Sequence, residues 1–166
     1  MLGKKQIADL VSYHGMGPAK AIAIVAACEL GRRRRESIRE ERPKLGSATA
    51  IYNFMHPILQ DLDVEEFHVL LMNQQYNLIR EICVSRGGIT ETAVDVRVIM
   101  RECLFNNATT LAVTHNHPSG NLTPSSHDDE VTRQIKKGCD MMRIYFADHV
   151  IVTDGGYYSY REEGRL

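Results

Sequence analysis

The stretch THNHPSGNLTPSSHD, residues 114–128, gathers three histidines, an aspartate and three serines directly after the apolar run Leu111-Ala-Val113. His115 and His117 are two residues apart, so at the end of an extended strand both imidazoles project to one side and can converge on one ion. Imidazole suits zinc, and a carboxylate from Asp128, eleven residues past His117, completes a set of two histidines and one oxygen ligand. Three protein ligands leave the fourth tetrahedral position to water. That is the catalytic pattern, because an open zinc site lowers the pKa of bound water to about 7.

Each of these residues also has a structural reading. Ser125-Ser-His-Asp128 has the form of a helix N-terminal capping arrangement, in which an acid near the helix start is favoured by the dipole without any metal. Pro118, Gly120 and Pro124 are ordinary loop residues, and an HxH pair alone is a weak signal. The joint pattern is much less easily dismissed as a plain polar loop.

The elements that must hold this segment are legible from periodicity. Ser47 can cap a helix with apolar residues at Ile51, Phe54, Met55, Ile58 and Leu59. Residues 67–73 and 78–84 read as two strands forming a hairpin across Gln74 to Asn77. A helical period returns over 92–106 through Val96, Ile99, Met100, Cys103 and Leu104, and Thr110 to Thr114 reads as a strand. A second helix begins near Ser125 or Ser126, and residues 143–160 hold two strands separated by the turn Asp154-Gly-Gly156. Helices mixed with hairpins predict an α/β (α+β) fold with a mixed sheet.

With 166 residues, 43% hydrophobic and 25% charged, the chain suits one well-buried domain with a small appended module, and excludes disordered and fibrous classes. The expected domains are 1–46 and 47–166. No stretch approaches the roughly 20 apolar residues of a membrane helix, and the N-terminus lacks a signal-peptide core, so a cytoplasmic protein is expected, with no membrane partner. The four cysteines show no CxxC spacing and suggest neither a thiolate zinc knuckle nor a disulfide framework, and Cys28 and Cys103 read as structural thiols within helices. Cys83 and Cys139 complete the set.

Charge is unevenly spread. Residues 1–46 hold ten Lys or Arg against five Asp or Glu, a net of +5, and the remainder holds ten against sixteen, a net of −6. Ile7, Leu10 and Val11 lie at helical spacing, and Ala19 to Gly31 form a second helix. Between them Gly15-Met-Gly-Pro-Ala-Lys20 suits a tight turn that points backbone N–H groups outward, with Gly15, Gly17 and Lys20 as phosphate-contacting positions. An ordinary helical hairpin explains the same glycines. The run Arg32 to Arg35 reads as a solvated linker.

The pattern His115-x-His117-x7-Ser125-x2-Asp128, with an acidic residue at the head of a preceding strand, resembles the JAMM (JAB/MPN) metalloenzyme signature. Within that superfamily the chain resembles the bacterial RadC proteins, a family long linked to DNA repair. The likeness is carried by His115-Asn-His-Pro-Ser-Gly120, Thr123-Pro-Ser125, Asp148-His-Val-Ile-Val152, Asp154-Gly-Gly156 and Arg161-Glu-Glu-Gly164. It extends to Glu65-Glu-Phe-His-Val-Leu70, to Gly15-Met-Gly-Pro-Ala-Lys20 and to Glu29-Leu-Gly-Arg-Arg33, and so covers essentially the whole chain. The turn at Gly15 to Lys20 looks like a helix-hairpin-helix element, which typically binds the DNA backbone without reading sequence.

The resemblance implies a JAB/MPN-like sheet flanked by helices, preceded by a small helix-hairpin-helix segment. It implies one Zn2+ per chain on His115, His117 and Asp128, the family's serine at Ser125, and its glutamate at Glu66, with Glu65 the alternative because a one-residue slip turns the carboxylate to the other face. It implies hydrolysis of an amide or isopeptide bond in a protein or peptide substrate. The alternative is a DNA-associated binding protein whose zinc site is structural or vestigial. His127 lies outside the signature, and His149 reads as a structural strand histidine. RadC proteins usually carry a longer N-terminal helical region, so a paired helix-hairpin-helix arrangement is expected to be incomplete.

Overall fold

A computed structural model describes residues 2, 5–36, 42–87 and 94–166, with the side chains of residues 35 and 36 left out. The chain divides into two compact units, Met1–Glu41 and Arg42–Leu166. The second unit begins before residue 47 because backbone pairing already draws in the preceding segment. Leu78 N donates to Pro43 O at 2.8 Å, and Leu45 N donates to Tyr76 O at 2.9 Å.

In the first unit, α1 (Ile7–Val11) and α2 (Pro18–Glu36) flank the glycine turn. The run Arg32 to Arg35, expected as linker, continues α2. Arginine is a good helix former, and the guanidinium groups of Arg32 and Arg33 pair with Glu29 at i,i+3 and i,i+4.

The second unit is a five-stranded mixed sheet of order β2-β1-β3-β4-β5 with helices on both faces, as in a JAB/MPN-like fold. Its elements run α3 (Ala48–Leu59), β1 (Glu66–Met72), β2 (Leu78–Arg86), α4 (Val96–Phe105), β3 (Thr110–Asn116), α5 (Ser126–Met142), β4 (Tyr145–Thr153) and β5 (Gly156–Ser159). Antiparallel ladders join β1 to β2 and β3, and β4 to β5, while β3 and β4 run parallel with α5 as their crossover. The central strands β1 and β3 are buried along their whole lengths. Hence their middles, Val69-Leu-Leu-Met72 and Leu111-Ala-Val113, read as continuous apolar runs rather than as alternating ones.

Side-chain alternation divides the core in two. Phe67, Val69, Leu71, Leu111 and Val113 face α4 and α5, where they meet Ile99, Cys103, Ile135 and Cys139. Leu70, Met72, Ala112, Val150 and Val152 face α3, meeting Ile51, Met55 and Leu59. Every residue of β1 and β3 is therefore committed to one face or the other, and that commitment decides which acidic side chain reaches the histidines.

Candidate metal centre

His115 is the last residue of β3 on the α4/α5 face, and its ring stacks on Phe67 of β1 at 5.8 Å between centroids. His117 follows the strand end, held by its backbone N–H donating to Val152 O at 3.0 Å. Asp128 lies in the first turn of α5, whose N-cap is Ser125. The three side chains converge. Nε2 of His115 lies 3.0 Å from Nε2 of His117 and 3.2 Å from Asp128 Oδ1, and His117 Nε2 lies 3.7 Å from Asp128 Oδ2. Ligands bonded at about 2.0–2.1 Å around a tetrahedral ion stand roughly 3.3 Å apart, the mean of these separations.

The partners of each ring assign its tautomer. Thr132 Oγ1 donates its one proton to Asp128 O at 2.6 Å, so at 2.6 Å from His149 Nδ1 it must accept. His149 Nε2 is thus the acceptor for His115 Nδ1–H at 2.9 Å, which leaves the Nε2 lone pair of His115 pointing into the cluster. His117 Nδ1–H likewise donates to Asn121 O at 2.5 Å, freeing its own Nε2. With these tautomers two lone pairs and a carboxylate face one another across about 3 Å, an arrangement that a metal ion, or a proton in its absence, can hold together.

Electrostatics agree. The hydrogen bond with Asp128 raises the His117 imidazole above its ordinary range against the opposing effect of burial, and the negative charge of Glu65 adds to the rise. Burial pushes the Asp128 carboxyl up, but bonds from His115 and His117, made when an imidazole carries a proton on Nε2 in place of a metal, together with the bond from Ser125 outweigh it and hold the group well below the carboxylate range. His149 is fully buried, and burial, followed by the nearby His115, keeps it neutral. It is more than a structural strand histidine: it is the acceptor that orients His115.

Asp128 is placed for both roles read from its position. Its Oδ2 closes a capping box by accepting from Ser125 N and Ser125 Oγ, both at 2.7 Å, while Oδ1 faces His115. Ser125 Oγ accepts from Asp128 N at 3.2 Å, so its single proton is the only donor it has to offer a ligand.

The sequence preference for Glu66 over Glu65 does not match the placement. Glu66 lies on the other face of β1, its Oε2 3.0 Å from His68 Nε2 and its Oε1 2.9 Å from Arg86 Nε. Phe67 is on the metal face, so Glu65, two residues earlier, shares it. Glu65 lines the same cleft of about 410 Å³ as His115, His117, Ser125 and Asp128. Asn116, between the two histidines, points away from them; its Oδ1 accepts from Glu66 N at 2.8 Å and its Nδ2 donates to Val64 O at 3.0 Å, fastening the chain on both sides of Glu65. His127 is exposed on the rim and outside the cluster.

The model of the RadC-like JAB domain matches residues 45–165. The chain belongs to the RadC family. It is 41% identical to a UPF0758 protein of Flavobacterium johnsoniae over 98% of this chain and 71% of that one, and 39% identical to one of Porphyromonas gingivalis over 99% and 74%. A UPF0758 protein of Symbiobacterium thermophilum is 37% identical over 92% of this chain and 64% of its own length. The matched RadC-like region contains His115, His117 and Asp128 of the candidate metal cluster, whereas the glycine turn lies outside it.

In that turn Gly15 adopts φ +78, a conformation that favours glycine, and Lys20 Nζ donates to Gly15 O at 3.1 Å. Gly17 O accepts from Ala21 N, opening α2. Gly15, Gly17 and Lys20 are thus brought together at one end of the first unit. Among the described residues no helix is long and apolar enough to cross a membrane.

Proposed function

We propose that this RadC-family chain is a zinc-dependent hydrolase of amide or isopeptide bonds in a protein or peptide substrate. The observation that carries the reading is the pair of Nε2 lone pairs converging with Asp128 at near-tetrahedral spacing on the floor of an open cleft. When bound, zinc supplies Lewis acidity that acidifies water and polarises a carbonyl. His115, His117 and Asp128 would hold the ion, with His149 and Asn121 O fixing the two imidazole tautomers. Glu65 takes a proton from the attacking water and delivers it to the leaving amine, the general-base and general-acid work its place on the cleft wall allows. Ser125 donates a hydrogen bond from its hydroxyl to the carbonyl oxygen as negative charge develops there, exchanging Asp128 Oδ2 for that acceptor.

Metal-stripped protein reloaded with zinc is to be presented with a panel of quenched peptide and isopeptide substrates. Cleavage that His117→Ala abolishes along with one zinc equivalent supports the reading; no cleavage across the panel by fully loaded protein rejects it.

A second reading, DNA association with a link to DNA repair, is favoured by the Gly15 to Lys20 turn and the net positive charge of residues 1–46. Lys20→Ala then weakens DNA binding and reduces the salt slope by about one, as loss of one phosphate contact requires. An unchanged slope removes the turn as a phosphate seat.

A further inference from the structure

Behind the first cluster, on the opposite face of β1, lies a second convergence of ligating side chains. His68 Nε2 stands 3.0 Å from Glu66 Oε2, and Cys83 Sγ stands 3.7 Å from the same oxygen. The three ligand atoms lie within 4.8 Å of one another. His68 and Glu66 are buried, whereas Cys83 is exposed on edge strand β2, which leaves a route from solvent.

Three features shape this group. First, the β1/β2 ladder is irregular here: Phe67 pairs with Ser85, but His68 pairs with Cys83, so Val84 is bulged out. A regular ladder would set Val84 beside His68; the bulge sets a thiol there instead, re-aiming a side chain as bulges do at functional sites. Second, His68 Nδ1 is 2.5 Å from Glu81 Oε1. A carboxylate on Nδ1 holds a proton there, so an ion that displaces the proton between Nε2 and Glu66 meets the Nε2 lone pair, the carboxylate–histidine–metal arrangement. Third, Arg86 Nε takes Glu66 Oε1 at 2.9 Å, so that Oε2 is the carboxylate oxygen turned toward His68 and Cys83.

We propose that Glu66, His68 and Cys83 form a second metal site that binds a zinc-like divalent ion through one thiolate, one imidazole and one carboxylate. The donor set selects the ion class: thiolate favours zinc over magnesium or calcium, and imidazole is compatible with it. An S–O separation of roughly 3.6 Å is expected for bonds of about 2.3 and 2.0–2.1 Å around a tetrahedral ion, against 3.7 Å here. Binding displaces the thiol proton and any proton held between His68 and Glu66, so the ion's two positive charges replace protons. The ion ties edge strand β2 to β1 and sits back to back with the first centre, across the peptide linking Glu65 and Glu66.

Cobalt(II) tests the site, because a thiolate ligand gives a near-ultraviolet charge-transfer band that histidine and carboxylate do not. The full chain, stripped of metal, is titrated with cobalt. The expected result is one such band per chain, abolished by Cys83→Ser, retained by His117→Ala, and bleached by zinc. Glu81→Gln is expected to weaken cobalt at this site 10- to 100-fold while leaving the band's position unchanged. Zinc content at saturation falls from two per chain to one in Cys83→Ser. Cys83 is the exposed cysteine of the four, so the serine variant leaves the core intact. Absence of the band in wild-type protein would mean that His68 serves only an ion-pair network with Glu66 and Glu81; a band that survives in Cys83→Ser would place the thiolate elsewhere. Either result overturns the proposal without touching the hydrolase reading, which His117→Ala tests separately.

Discussion

His115 Nδ1 stands 2.9 Å from His149 Nε2, and that single contact decides which nitrogen of His115 can meet a metal. The relay continues through Thr132 to the carbonyl of Asp128, so one ligand's tautomer is set by the backbone of another. Removing such an outer partner typically costs 10- to 100-fold in metal affinity. His149→Gln and Thr132→Val are each expected to weaken zinc at the His115 centre in that range, measured by competition with a chromophoric chelator. Unchanged affinity in both variants would remove the relay from the account of the site.

The base is the sharpest catalytic prediction. Glu65→Gln is expected to lower turnover by about 10²- to 10⁴-fold, the usual contribution of a positioned proton-transfer group, with zinc at the His115 centre retained. Glu66→Gln is expected to lose far less, since its carboxylate lies behind the sheet with His68 and Arg86. The reverse order of losses would return the role to Glu66.

That exchange of neighbours shows what the sequence carries and what it does not. The hairpins, Ser125 capping α5 and the His115, His117, Asp128 trio follow from periodicity, cap chemistry and spacing, all local properties. Choosing Glu65 over Glu66 requires knowing that Phe67 faces α4 and α5, a tertiary fact that a fully buried strand does not encode in its pattern. Glu66-Phe-His-Val69 does alternate, setting Phe67 on the face opposite Glu66, but Val69-Leu-Leu-Met72 is apolar on both faces, and nothing in β1 says which face meets the histidines of β3. The role of His149 is hidden for the same reason, because Asp148-His-Val reads as any buried strand until β4 is laid parallel to β3 beside His115. The arginine run reads as linker only while charge density is weighed above the i,i+3 and i,i+4 pairing with Glu29.

Without metal, the site should make stability depend on pH. The His117 imidazole is raised above its unfolded value by Asp128. Its stabilisation is therefore fully present below the unfolded pKa of about 6.5 and is lost as pH rises through the higher folded value. Chelator-treated protein is expected to melt at a lower temperature at pH 8 than at pH 6 through this group, with the difference reduced in His117→Asn. Zinc-loaded protein should show the opposite trend at this site, because ligands bind the ion only when deprotonated. Melting curves at the two pH values, with and without zinc, check both signs.

Asn116 fastens Val64 O and Glu66 N, the polar backbone groups on either side of Glu65, yet its side chain points away from the cleft. It makes no contact with a reacting atom, so it is a positioning residue whose loss acts through Glu65. A shift of about 1 Å in a reacting group can cost on the order of 100-fold in rate. Asn116→Ala is expected to lower kcat by that order with KM and zinc content at the His115 centre nearly unchanged, whereas Asn116→Asp, which keeps the acceptor for Glu66 N but not the donor to Val64 O, should retain part of the rate. Because Asn116 also lies between His115 and His117, its replacement has a second route to harm. If the variant loses zinc affinity but regains full turnover when saturated with metal, Asn116 serves the histidines, and the placement of Glu65 rests on the strand alone.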